Sequence, residues 1–160
     1  VNIAFGSIWD FDCLKVVPTN LGWKRDGANV MGRGVAQQAA ARYPGLAQAY
    51  GQFCRLISTK PYEVVSLFMF NDLVLLPVKP LNREFPYLSW QQGASLPLIE
   101  RSLAQLPRFT TLRDTVLPMI GCGNGGLDPK QVMPLIKQYL HEDRFTLVLL
   151  PGEQHLQEIQ

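Results

Sequence analysis

Ile120-Gly121-Cys122-Gly123-Asn124-Gly125-Gly126-Leu127-Asp128-Pro129 runs from an apolar, strand-like segment (residues 115–120) straight into a helix. Asp128 suits the N-cap, and Pro129 suits the first helical turn, where its missing N–H costs nothing. Residues 121–126 include four glycines, the residue that loses most freedom on ordering. A merely connective loop has no use for so many. Bare N–H groups beside a helix N-terminus do have one: with the helix dipole they seat an anion, phosphate first among them. Gly121, Gly123 and Gly126 also spell G-x-G-x-x-G, but the setting is wrong for a dinucleotide-binding unit. Such a unit opens its domain and carries an acidic residue after the next strand. Here the loop lies in the last third of the chain, and Glu142-Asp143 precedes the next strand, residues 145–150. The glycines point to phosphate, though not in the Rossmann manner.

Working outward, strand-like and helical segments alternate. The helix after the loop carries Val132, Leu135, Ile136, Tyr139 and Leu140 on one face. The helix before residues 115–120 carries Leu96, Ile99, Leu103 and Leu106 in the same way, the spacing of an amphipathic helix. Residues 64–70 and 73–77 read as strands joined by a hairpin turn at Asn71-Asp72. Residues 35–43 and 46–57 read as helices separated by Pro44-Gly45, the second ended by Thr59-Lys60-Pro61. Residues 1–5 and 14–18 complete the strands, the latter almost continuously apolar, as for a strand buried on both faces. Two long loops remain, 19–34 and 78–92, and loops of that length inside a domain are usually functional or mobile. The pattern predicts one domain over residues 1–160, an α/β fold built as a three-layer α/β/α sandwich. The hairpin makes its central sheet mixed. Ligands of such sheets lie outside the carboxyl ends of the strands. Four stretches fall there: the two long loops, the glycine loop, and the chain after Leu150.

Composition narrows the function. In 160 residues, 47% are hydrophobic and 18% charged, with a formal net charge of +2. That supports a sizeable core and excludes bulk electrostatic binding to nucleic acid or membrane. Cys13, Cys54 and Cys122 are three cysteines at unrelated spacings, which indicates a reducing compartment and neither a disulfide frame nor a zinc site. No targeting segment opens the sequence, and no apolar run approaches the ~20 residues of a membrane span. A cytoplasmic protein without a membrane partner is expected. His141 and His155 both lie outside the glycine loop, so no histidine metal centre, and no metal or cofactor, is expected.

Pro18-Thr19-Asn20, Asn29-Val30-Met31-Gly32-Arg33-Gly34-Val35-Ala36, Leu76-Pro77-Val78-Lys79 and Gly121-Cys122-Gly123-Asn124-Gly125-Gly126-Leu127-Asp128 together resemble a macrodomain, in the family's order and spacing. The likeness covers essentially the whole chain. It is nearest to the branch of terminal ADP-ribose glycohydrolases and of antitoxins that remove ADP-ribose from DNA. The resemblance implies that Gly6-Ser7-Ile8 stands where the family has Gly-Asp-Ile, its aspartate holding the adenine amino group. Serine makes that bond a neutral one, roughly half as strong. It further implies that Met31, Gly32, Arg33, Gly34 and Val35 form one phosphate loop, and that Gly121, Cys122, Gly123, Asn124, Gly125, Gly126 and Leu127 form the other. Asn20 matches the asparagine near the distal ribose. Lys79 matches a lysine that attacks, or positions, the anomeric carbon. Gly125 stands where glycohydrolase relatives carry an aspartate, which favours the antitoxin-like route. Pro80 and Pro129 are further departures from the family's pattern.

Lysine chemistry needs an uncharged amine, so burial or a neighbouring cation must depress a pKa of about 10.4. Arg83 and Lys24 are the candidate neighbours. Read without the resemblance, Asn20 also suits a turn that bonds its own backbone. Trp23 and Trp90 serve either to stack on a ligand or to anchor their loops, and Arg33 reaches either phosphate or water. Asp128 is assigned to capping, and Cys122 to a small apolar role. The expected activity is hydrolysis of an ADP-ribosyl linkage on DNA or protein, with ADP-ribose or an ADP-ribosylated macromolecule as partner and a monomer as the working state. The alternatives are hydrolysis of ADP-ribose 1″-phosphate and a reader without turnover.

Overall fold

The computed structural model describes residues 1–60 and 64–160. Its sheet has six strands: β1 (Asn2–Phe5), β2 (Leu14–Asn20), β3 (Phe68–Phe70), β4 (Leu73–Lys79), β5 (Thr115–Pro118) and β6 (Phe145–Leu149). They lie in the order β1-β6-β5-β2-β4-β3. Every neighbouring pair is parallel except β3 and β4, which run antiparallel through the Asn71-Asp72 hairpin. Asn71 takes a left-handed φ of 54° there, a conformation that asparagine tolerates better than most.

Helices α1 (Gly34–Arg42) and α2 (Leu46–Ser58) cover one face of the sheet; α3 (Leu96–Phe109) and α4 (Pro129–Tyr139) cover the other. Strand β4 shows how the sequence divides between them. Leu73 and Leu75 pack with Val17, Leu46 and Tyr50 against α1 and α2. Val74, Leu76 and Val78 pack with Ile99, Leu103 and Ile136 against α3 and α4. Both faces of the strand are buried, so its sequence is one apolar run rather than an alternating one. The mixed three-layer sandwich expected from the sequence is the fold observed.

Several boundaries differ from the sequence reading. Strand β3 is confined to Phe68–Phe70, whereas residues 64–70 were expected to be extended. Ahead of it the chain has already turned toward α3, where the Ser66 N–H donates to Gln105 Oε1 at 3.1 Å and Leu67 enters the α3/α4 core. Pro61, expected to end the preceding helical segment, lies outside the described residues. Strand β5 stops at Pro118, two residues early. Strands β2 and β4 each run two residues further than expected, to Asn20 and Lys79. Short 3-10 helices occupy Ile8–Asp10, Pro86–Gln91 and Pro151–Glu158, where the sequence reading had loops or chain end.

Candidate functional site

The extended ends of β2 and β4 place Asn20 and Lys79 side by side. They are register partners on adjacent parallel strands, at the carboxyl ends of both. Thr19 pairs with Pro77 and Asn20 with Lys79, so β4 carries one extra residue, Val78. Such a bulge bends a strand and re-aims the side chain that follows it.

Asn20 is buried, and most of its amide is committed to its own loop. Its Oδ1 accepts from the Gly22 N–H at 2.9 Å and from Asn29 Nδ2 at 3.1 Å. Its Nδ2 donates to the Val30 carbonyl at 2.9 Å, which leaves one N–H. The bond to Gly22 is the self-bonding turn allowed for in the sequence. Lys79 Nζ donates to the Trp90 carbonyl at 2.8 Å. Burial, and after it the positive charge of Arg33, hold the Lys79 pKa below its ordinary 10.5. The depressing neighbour is therefore Arg33, not Arg83 or Lys24. Arg33 in turn lies 5.4 Å over the Trp90 ring.

Two glycine loops face these side chains. In the first, Arg33 occupies the N-cap of α1 with no side-chain cap. Among the described residues, the N–H groups of Gly34, Val35 and Ala36 find no partner. An uncapped helix start with open amides is an anion seat. In the second loop, Gly126 N–H bonds back to Gly123 and Leu127 N–H to Gly121, at 3.2 and 3.1 Å. The N–H groups of Cys122, Gly123, Asn124 and Gly125 are left without partners among the described residues. The loop's glycines serve two purposes. A Cβ on Gly123 would meet nothing within 4 Å, whereas one on Gly125 would lie 2.4 Å from the Gly121 carbonyl oxygen and 2.7 Å from Ala94 Cβ. The first keeps space open; the second lets backbone pack against backbone.

Between the loops lies a cavity of about 740 Å³. Of the residues singled out in the sequence, Asn20, Lys79, Gly32, Arg33, Gly34, Val35, Trp90, Gly121, Gly123, Asn124 and Gly125 line it. Gly6, Ser7, Ile8, Met31, Cys122, Gly126 and Leu127 do not. Ile8 is buried with Val116 and Val148 behind Val35. The Ser7 hydroxyl caps the Ile8–Asp10 turn by accepting from the Trp9 N–H at 3.2 Å. Met31 is core, and Leu127 packs against the α3/α4 cluster. Cys122 Sγ donates to the Ile120 carbonyl, and burial, then Asp128 and Glu153, push its thiol up to about 11. Asp128 is the N-cap of α4, accepting from the Lys130 N–H at 2.9 Å. The sequence reading did not select Thr19, Gln91 or Met119, which also line the cavity. Thr19 follows from its place: its hydroxyl meets the buried Tyr50 hydroxyl at 2.6 Å beside Asn20. Nothing in the sequence marks Gln91.

No protein-family model and no curated protein sequence matches this chain. Solved structures do. The macrodomain of Mycobacterium tuberculosis DarG superposes with a TM-score of 0.69 at 24% identity, covering 93% of this chain and 97% of that one. The Thermus aquaticus DarG macrodomain gives 0.69 at 22% identity, over 93% and 96%. This chain has the macrodomain fold. A Thermosipho africanus DarTG structure in complex with ADP-ribose gives 0.68 at 20% identity, covering 94% of this chain but only 42% of the DarTG chain. Among the described residues of this chain, Arg33 and Lys79 are the only charged side chains lining the cavity. They make it electropositive.

Proposed function

We propose that this macrodomain binds ADP-ribose in the cavity between its two glycine loops and hydrolyses an ADP-ribosyl linkage on DNA or protein. The observation that carries the reading is the convergence, among the described residues, of unpartnered N–H groups from both loops on a cavity whose only charges are Arg33 and Lys79. A diphosphate fits such a seat, because each loop supplies backbone donors without side-chain bulk. The ADP-ribose complex of the similarly folded Thermosipho africanus DarTG supports the choice of ligand.

Neutral Lys79 attacks the anomeric carbon of the distal ribose, forming a C–N bond as the glycosidic bond breaks. The attacking nitrogen sheds a proton to solvent. Water then cleaves the glycosyl-lysine, returning the amine and releasing ADP-ribose. The remaining N–H of Asn20 orients the ribose beside it. No carboxylic acid or imidazole lines the cavity among the described residues, so nothing there protonates the leaving group. Linkages whose leaving group departs as a stabilised anion, a carboxylate or the deprotonated acidic N–H of a nucleobase, suit this cleft; a simple alkoxide does not.

The test is a release assay on ADP-ribosylated single-stranded DNA, glutamate-linked ADP-ribosyl protein and ADP-ribose 1″-phosphate, beside K79A and K79R. Release from the first or second that both variants lose by about 100-fold or more supports the reading. Release that survives K79A removes Lys79 as the nucleophile. Turnover of the 1″-phosphate alone would favour the phosphatase, and tight binding without release the reader.

A further inference from the structure

Trp90 touches both cations of the cleft, with two different parts of itself. Its ring lies 5.4 Å beneath the Arg33 guanidinium, inside the range of a cation–π contact. Its carbonyl oxygen accepts the 2.8 Å hydrogen bond from Lys79 Nζ. Arg33 comes from the first glycine loop, Lys79 from the end of β4, and Trp90 from the 3-10 helix Pro86–Gln91. We propose that Trp90 is a positioning residue that holds the Arg33 guanidinium beside Lys79, so that a fixed positive charge faces the amine.

Arg33 needs such a hold. It is exposed, it forms no ion pair among the described residues, and a free arginine side chain samples many rotamers in water. Left mobile, its charge would be screened from Lys79. The indole face fixes it without neutralising it, which a carboxylate could not do. Among the described residues, Arg33 is the charged group that acts on Lys79, second to burial, and both act in the same direction. The fixture is itself firmly seated. Ser89 Oγ donates to the Pro86 carbonyl at 2.8 Å and accepts from the Asn82 N–H at 2.9 Å. Gly22 presses so closely on this helix that a Cβ there would lie 2.1 Å from the Pro86 carbonyl oxygen. The loop 19–34 and the helix bearing Trp90 are thereby locked together from below, and Arg33 on Trp90 joins them at the cleft.

The inference deepens the reading of Lys79 as the nucleophile and rests on it, but its test needs no ligand. Lysine-labelled protein is titrated by NMR, with the Lys79 signal assigned through K79R, in R33Q, W90L and the double variant. Each single change raises the Lys79 midpoint, and the double raises it no further than the larger single effect. R33K, which keeps the charge, and W90F, which keeps an aromatic ring under it, stay near the parent; the backbone carbonyl that accepts from Lys79 is present in every variant. An unmoved midpoint in W90L, or additive shifts in the double variant, overturns the proposal. A second readout does not depend on W90L folding: in the parent protein the Arg33 δ protons are shifted upfield by the indole ring current. Arg33 δ protons at their ordinary position contradict it. Failure of ADP-ribose to bind in calorimetry would remove the functional reading and leave this titration intact.

Discussion

Lys79 joins sequence, structure and chemistry in a single side chain. It ends β4, follows a bulge, and donates to a backbone carbonyl in a half-buried setting. Burial first, and Arg33 second, favour its neutral form. For a lysine whose folded pKa is lowered, the uncharged fraction grows as pH rises and reaches its limit before the ordinary value does. ADP-ribose release should therefore rise with pH to a plateau, with its midpoint below 10.5. A rate that is flat with pH, or a midpoint at or above that value, would separate Lys79 from the chemical step. Asn20 shows what sequence could and could not convey. Its position was legible from Pro18-Thr19-Asn20, but the commitment of its Oδ1 to Gly22 and Asn29 depends on where a long loop returns. The same holds for Arg33: only the fold brings it, rather than Arg83 or Lys24, to Lys79.

At the scale of elements, the glycine loop between β5 and α4 was readable because glycine, N-cap and proline are local signals. Which glycine does what was not, since that depends on Ala94 and Gly121 across the turn. The structure makes a paired prediction. G125A forces a Cβ to within 2.4 Å of a carbonyl oxygen, and overpacking of this kind costs about 1–3 kcal/mol. G123A projects into open space and leaves the melting temperature near the parent's, but its methyl enters the cleft and weakens ADP-ribose binding. Thermal melts and calorimetry on the two variants check both halves, and equal melting temperatures would contradict the division. The same crowding bears on the aspartate that the family resemblance would place at Gly125: a side chain there would have to push backbone aside. Under the proposed function, the chemistry in this cleft then falls to Lys79. The 3-10 helix Pro86–Gln91 escaped the sequence reading because a mixed polar and aromatic run has no clean period.

Across the whole molecule, alternation of apolar strands and amphipathic helices was enough to give the layers and the mixed sheet, while strand order and the length of β3 required tertiary contacts. One such contact, away from the cleft, ties β2 to the hairpin. Lys15 Nζ meets Asp72 Oδ2 at 2.8 Å with its side chain only 6% exposed, and the Tyr43 hydroxyl donates to Asp72 Oδ1 at 2.6 Å. Burial alone would raise the Asp72 carboxyl, but the bonds from Lys15 and Tyr43 outweigh it and hold its pKa below the usual range. The stabilisation is thus present above the unfolded value of about 3.9 and is lost as pH falls through the folded one. D72A leaves the Lys15 ammonium without its carboxylate and should cost about 2 kcal/mol at neutral pH, allowing for the partly exposed Asp72. Denaturant melts of parent and D72A should converge in acid; a constant gap would contradict the assignment. The central claim, that the cleft is a diphosphate seat built by two glycine loops, is tested most directly by titrating ADP-ribose into the protein in a calorimeter. The account predicts saturable one-to-one binding, weakened roughly tenfold or more (about 1.4 kcal/mol) by G123A. No heat of binding at millimolar ADP-ribose would contradict it.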